Sequence, residues 1–318
     1  GQRTVRFVLT DGDGGISADY DATVTVASVG TPYMISGTYL GDGTDNRAIT
    51  VGFGADVVMV RAFDSNVTSS IRTSSMSGDV SKDLDGSTAL VANNIQSLDA
   101  NGFTVGTDNA VNQNGKTYVW TAFKASTGVL KVGSYTGNGT TQGITGAGFS
   151  PELVYVLGAG ATLPVFRSSM DASTFGFSAG GNTANGITAL GSDGFTVGSA
   201  TAVNTNATVY HYVAWNEVAG LMDVGTYSGN GADNRNITGV GFAPELLIVK
   251  SDATTAKTSA IHADAHGSAD DESMYFEATK GTWNANQIQA LQSDGFQVGT
   301  AGEVNTNAAT YTYMAWRQ

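Results

Sequence analysis

The 318-residue chain contains no cysteine, so no disulfide, thiolate metal site or cysteine nucleophile can contribute to it. Basic residues are scarce. Fifteen Lys and Arg stand against 28 Asp and Glu, and the formal net charge of -13 repels nucleic acid and anionic lipid, so neither is an expected partner. No apolar run approaches the roughly 18 residues a membrane span needs, so no membrane insertion is expected, and no charged-then-apolar leader opens the chain. Gly1 stands just before strand-like sequence, the start expected of a processed or excised piece of something longer. There are three histidines, and the P-loop and H-E-x-x-H are both missing. With no recurring acid/base cluster the sequence predicts no enzyme; paired glycosidase carboxylates are a matter of spatial separation and leave no spacing to read.

What is present is repetition. The pattern GxYxGNGxxxxxITGxGFxPELVxV starts at Gly37, Gly133 and Gly225, and its glycine loops Gly41-Asp42-Gly43, Gly137-Asn138-Gly139 and Gly229-Asn230-Gly231 correspond. Ile49, Ile144 and Ile237 follow, then Phe53, Phe149 and Phe242. A second block recurs about fifty residues on, with Ile95, Leu98 and Gly102-Phe103 matched by Ile187, Leu190 and Gly194-Phe195 and by Ile288, Leu291 and Gly295-Phe296. An asparagine (Asn112, Asn204 or Asn305) then precedes an aromatic segment: Tyr118 to Phe123, Tyr210 to Trp215 or Tyr311 to Trp316. A period of about 95 residues lies far beyond the 20 to 50 of solenoids, so each copy is expected to be a domain with its own core.

The expected class is all-β: three tandem β-sandwich, jelly-roll-like domains at 31–128, 129–220 and 221–318, preceded by an N-terminal β-hairpin at 1–30. Val57 to Val60, Leu153 to Leu157 and Leu246 to Val249 are short continuous apolar runs, the mark of strands covered on both faces. Asn-Gly pairs such as Asn101-Gly102 and Asn138-Gly139 punctuate them as tight turns. The I-x-x-L step before each Gly-Phe predicts one helical turn at most. The pattern leaves open whether the three units stand in a row, reaching on the order of 100 to 150 Å at roughly 35 to 50 Å each, or pack as one pseudo-threefold body.

Residues 1–30 differ. Val5, Phe7 and Leu9 alternate with polar neighbours, Asp11 to Gly15 turns, and Tyr20 to Val29, with Val24 and Val26, alternates again. A two-stranded hairpin is marginal in water and presents two open edges, so it is expected either to pack on the first sandwich or to add strands to a neighbouring subunit. In the second case Val5, Phe7, Leu9, Val24 and Val26 are the assembly residues and the partner is another copy of the chain. Differing donor and acceptor surfaces would build a head-to-tail filament unless the rotation closes a ring.

Other groups are candidates for ligands. Asp11, Asp13, Asp19 and Asp21 form an acidic cluster offering hard oxygens suited to Ca2+, and the loops at Asp42 to Asn46 and Asn230 to Asn234 offer fewer; the second repeat's loop has no carboxylate, so turn formation explains these loops better. Tyr118 and Trp120, Tyr210 and Tyr212, and Tyr311 and Tyr313 lie two apart on one strand face, a possible platform for stacking surface glycans, although one face must fill the core and the other, with Phe123, Trp215 and Trp316, can seal a boundary between units. His262, Asp264 and His266, trailed by Asp270, Asp271 and Glu272, would share a face in extended chain and could take zinc, a solvated loop being the plainer account. His211 has no equivalent in the other copies.

Two resemblances follow from these residues. RTVRFVLTDGDGGISADYDATVTV resembles the last two strands of cadherin-like and VCBS-type repeats of large bacterial adhesins, which implies an exported, multidomain and often calcium-loaded surface protein. The unit carried by GTYSGNG at Gly225, GFAPEL at Gly241 and Asp294-Gly295-Phe296 is similar to tandem lectin-like β-sandwich repeats of phage tail-associated and surface proteins. It departs in the first copy, with Ala55-Asp56 in place of Pro-Glu, and in the second, which is one loop residue shorter near Gln142. The resemblance implies an extracellular, cell-surface or virion location. The expected role is a structural subunit of an extracellular filament, sheath or appendage, the alternatives being a glycan-binding adhesin or tail-fibre attachment module, or a passive stalk.

Overall fold

The structure, a computed structural model, describes residues 2–7, 20–25, 33–63, 65–180, 182–252, 257–266, 273–278 and 284–318, the first two stretches by their backbone course. The chain falls into two compact units, 1–32 and 33–318. In the first, β1 (Gln2–Phe7) and β2 (Tyr20–Thr25) pair antiparallel, with Val5 opposite Ala22, Phe7 opposite Tyr20 and Arg3 opposite Val24. This is the hairpin that the alternation predicts. Leu9, Asp11, Asp13, Asp19 and Val26 lie outside the described residues.

The second unit contains the three repeats, each a pair of antiparallel sheets, and bears out the all-β, repeated sandwich reading. In the first repeat a five-stranded sheet runs in the order β3 (Met34–Leu40), β10 (Thr117–Phe123), β5 (Val57–Ala62), β6 (Ser70–Thr73), β7 (Lys82–Asp83). A three-stranded sheet, β4 (Arg47–Thr50), β9 (Gly102–Val105), β8 (Ile95–Asp99), covers one of its faces. The second and third repeats reproduce both orders strand for strand. The I-x-x-L segment is a strand and not a helical turn. A register shift between Ile95 and Ser97 inserts one residue, so Ile95 and Leu98, three apart, both reach the core. The helical turn comes later, as α1 (Asn109–Asn112), capped by Asp108.

The continuous apolar strands explain how the repeats are joined. On β5, Val58, Val60 and Ala62 pack with Tyr118, Trp120 and Phe103 in the repeat's own core. Val57 and Met59 point the other way, into a cluster that draws residues from all three repeats. Strand alternation thus divides each aromatic strand between two cores. Tyr118, Tyr210 and Tyr311 fill the local ones, while Phe123, Trp215 and Trp316 meet one another at 5.8, 5.9 and 5.8 Å between ring centroids. Three equivalent side chains at nearly equal separations mark a pseudo-threefold axis. The repeats are therefore not beads on a string; each has a small core of its own, and the three share a fourth.

The contacts between repeats are head-to-tail and close into a ring. Ser259 N donates to Phe177 O (3.0 Å), and its counterpart Ser69 N donates to Phe276 O (3.1 Å), linking the third repeat to the second and the first to the third. At the remaining junction Pro164 occupies the same position and has no amide to give. There Leu90 N reaches Ala159 O (3.1 Å) instead, and His211 Nδ1 lies 2.9 Å from Ser75 Oγ.

Candidate functional site

The motif residues are first of all the joinery of each repeat. A Cβ added at Gly37, Gly133 or Gly225 would stand about 2.5 Å from the ring of Trp120, Tyr212 or Tyr313, so the opening glycine is what lets that ring lie flat on the neighbouring strand. Tyr39, Tyr135 and Tyr227 stack on Tyr118, Tyr210 and Tyr311 at 5.2, 5.4 and 5.2 Å and donate to the carbonyls of Val111, Val203 and Val304, each at 2.6 Å. The recurring asparagine ties the glycine loop to the helical turn. Asn305 is fully buried, donates to Ala232 O (2.7 Å) and Gly299 O (2.8 Å), and accepts from Asn230 N (2.9 Å); Asn112 and Asn204 do the same in their repeats. These sequence signals describe folding, and the shared fold accounts for their repetition.

The six aromatic candidates follow the core alternative. Tyr118, Tyr210 and Tyr311 are 0% exposed and Trp120, Tyr212 and Tyr313 only 5–7%, so they present no stacking platform for a sugar. The Asp42 loop is a turn: Asp42 accepts from Thr44 N (2.9 Å) and Thr44 Oγ1 (2.8 Å) and pairs with Arg47 at 3.3 Å. Thr44's two hydrogen bonds lead in holding the Asp42 carboxyl below its usual range. Of the hairpin's acidic group only Asp21 falls on a described strand, opposite Arg6. His262 is buried near the end of strand Ala260–Ala263, and the chain then turns into a short 3-10 helix, Asp264–His266, so the extended spacing that would align His262 with Asp264 and His266 is broken. Asp270, Asp271 and Glu272 lie outside the described residues. Among the described residues no three His, Asp or Glu side chains converge on a metal-sized site.

Sequence reasoning missed the buried cations. Lys82 is fully buried, its ammonium bonded to Thr88 O and, across the junction, to Gly160 O at 3.2 Å. Lys250 reaches Ser178 O of the second repeat at 3.1 Å, and Arg61 reaches Glu277 O of the third at 3.1 Å. Burial pushes both lysines down to about 8 and Arg61 to about 10. Arg61 and Lys250 occupy the same strand position, which in the second repeat is Leu157. A single Lys or Arg inside an apolar strand was the signal available, and each of these tethers repeats together.

One further cation position does something else. Arg72, Arg167 and His262 are equivalent, each opposite the second residue of its central strand. Arg72 donates to Ile95 O (3.3 Å), and its fork is then enclosed by the carbonyls of Met76, Gly78 and Val80 in the hairpin that follows. Arg167 makes the matching bond, to Ile187 O at 2.8 Å. It makes no other hydrogen bond among the described residues; its buried Nε is unpartnered, as is that of Arg72, so the two differ at the terminal fork. The cause is hairpin length: residues 74–81 separate the two strands in the first repeat and only 169–174 in the second, so the enclosing carbonyls are missing. What remains is a polar cleft of about 340 Å3 with Arg167 in its wall.

Fold and sites together define an all-β body of three repeats. The chain belongs to a family described as a domain of unknown function (DUF7483), whose model matches residues 30–132 and 219–318, more than half of the chain. No curated protein and no solved structure matches it. The matched stretches are the first and third repeats, while the second repeat, with its shortened loops, shares their fold.

Proposed function

We propose that the chain is a structural subunit of an extracellular filament, sheath or appendage, joined to its neighbours through β1 and β2. The observation that carries this is topological: among the described residues the ribbon is a sheet of two strands only, each paired solely with the other. Such a ribbon leaves an unpaired row of amides and carbonyls on each outer edge, and strand addition from another copy satisfies them with main-chain hydrogen bonds. The body supports the reading from the opposite direction. Its head-to-tail repeat surfaces are consumed by the closed ring, so a repeat-on-repeat contact is not available for growth.

The cysteine-free composition and the adhesin-like ribbon sequence support an extracellular, cell-surface or virion setting. Calcium, if the assembly uses it, would act at Asp11, Asp13, Asp19 and Asp21. The experiment compares purified full-length chain with the chain starting at Tyr33 by negative-stain microscopy, with and without chelator. Ordered polymers from the first and discrete particles from the second are expected. Assembly unchanged by the deletion would overturn the proposal.

A further inference from the structure

The cleft beside Arg167 has the chemistry of a binding site, independent of the ribbon. Its wall brings together one guanidinium and the polar side chains of Ser173, Thr174, Asn182, Thr183, Asn185 and Thr188, with no carboxylate among the lining residues. Thr174 and Thr188 are spoken for: Thr174 Oγ1 donates to Ile187 O (3.0 Å) and accepts from Ile187 N (2.8 Å), and Thr188 Oγ1 donates to Thr196 O (3.2 Å). These bonds fix the wall. Ser173, Asn182 and Asn185 engage no protein partner through their side chains among the described residues, and so offer a hydroxyl and two amides to whatever enters. Asp171, the nearest carboxylate in the sequence of that hairpin, is 7% exposed and has both oxygens committed, one to Ser168 Oγ and one to Thr312 Oγ1, each at 2.6 Å. No ion pair closes the guanidinium fork among the described residues, although the Asp171 charge is near enough to hold the Arg167 pKa up against burial.

A planar cation with its fork half used calls for a planar anion, because a carboxylate matches two guanidinium N–H groups at once. Neutral donors and acceptors spaced around it suit hydroxyl groups. The volume, about 340 Å3, lies at the small end of ligand sites, suited to a single ring and not to a peptide. The first repeat provides the comparison within the same chain: there the hairpin's own carbonyls fill the place of such a ligand around Arg72. Shortening the hairpin by two residues in the second repeat exposes what the first repeat covers. The overall charge of -13 opposes an anion at long range, but at physiological salt the screening length is about 8 Å, so the cleft's own cation dominates at contact.

We propose that the second repeat binds a carboxylate-bearing sugar, a uronic or sialic type of acid, with its carboxylate on Arg167 and its hydroxyls on Ser173, Asn182 and Asn185. The site does not use the buried aromatic residues and would equip one repeat of the three to recognise an acidic surface glycan. The test is isothermal titration of the full-length chain with glucuronate, galacturonate and N-acetylneuraminate, each beside its uncharged amide or methyl ester, and with inorganic phosphate. Millimolar or tighter binding of at least one acid is expected, weakened at least about tenfold when its carboxylate is neutralised and by the same factor in Arg167→Gln. Because Arg167 also holds Ile187 O, a second variant, Ala184→Trp, fills the cleft from an exposed position without touching that bond; it should abolish binding with an unchanged melting temperature. Arg72→Gln should leave binding as it is. The proposal is overturned if none of the acids binds, if the neutral analogues bind equally, if phosphate binds as tightly as the sugar acids, or if Ala184→Trp leaves affinity intact.

Discussion

Replacing Trp316 by alanine perturbs the one place where the three repeats touch as equals. Its ring is fully buried and lies 5.9 Å from Phe123 of the first repeat and 5.8 Å from Trp215 of the second. Truncation removes the transfer energy of a large ring and leaves a cavity that strands on every side hold open, a loss of about 3–5 kcal/mol. Aromatic edge-to-face contacts with two partners keep the figure near the upper end. At roughly 2–3 °C per kcal/mol for a unit of this size, the melting temperature should fall by about 6–15 °C. The shape of the transition matters more than its midpoint. A shared core requires the whole of 33–318 to unfold together, so differential scanning calorimetry of the variant should show the body as a single peak, moved down. If one third of the enthalpy moves and two thirds stay at the original temperature, the repeats are independent domains and the shared core carries no cooperativity.

Two other perturbations follow from the same contacts. Asn204→Ala removes the partner of the Asn138 amide and the Thr140 carbonyl in a part-buried loop and leaves the buried Gly198 carbonyl unpaired, so denaturant unfolding should show a loss of about 1–3 kcal/mol with the slope unchanged, and an unaltered midpoint would refute the tether. The buried lysines give stability a pH dependence: Lys82 and Lys250 lose their protons near 8 in the folded chain and near 10.5 when unfolded, so between those values the unfolded state holds more protons and stability should rise with pH. Above about 10 the sign reverses. Burial raises the Tyr33, Tyr135 and Tyr155 hydroxyls, and only the unfolded chain then ionises. Urea titrations from pH 7 to 11 should trace a maximum near 10, flattened on its lower limb in Lys250→Met; a steady decline from pH 8 would contradict the assignment.

Much of the architecture was legible because strand alternation is a strict code. The runs at Val57, Leu153 and Leu246 announced strands covered on both faces, and the two-residue steps of Tyr118 and Trp120 against Phe123 announced a local core and a second buried face. What covers that second face was not legible. A continuous apolar strand looks the same whether its cover is a sheet of its own repeat or two neighbouring repeats, and only the spatial meeting of Phe123, Trp215 and Trp316 distinguishes them. The step from Ile95 to Leu98 read as helical because three-residue spacing is the helix's, and a bulge in the strand reproduces it. The cleft was hidden for another reason. Arg72 and Arg167 stand on matching strands with the same bond to an isoleucine carbonyl, and the difference between a terminal fork that is enclosed and one that is open lies in the length of the hairpin beside it. His262 drew attention as a metal ligand through its neighbours in sequence, whereas its structural equivalents are those two arginines.

The central functional claim concerns the outer edges of a two-stranded ribbon, and amide hydrogen exchange reads those edges directly. Full-length chain is exchanged at concentrations spanning the onset of assembly, and protection is followed for residues 2–7 and 20–25. Slow exchange of the outward-facing amides that appears only as particles associate is the predicted result. Equal protection of those amides in dilute, monomeric chain would mean that the ribbon already finds its partners at home, and the polymer reading would lose its mechanism.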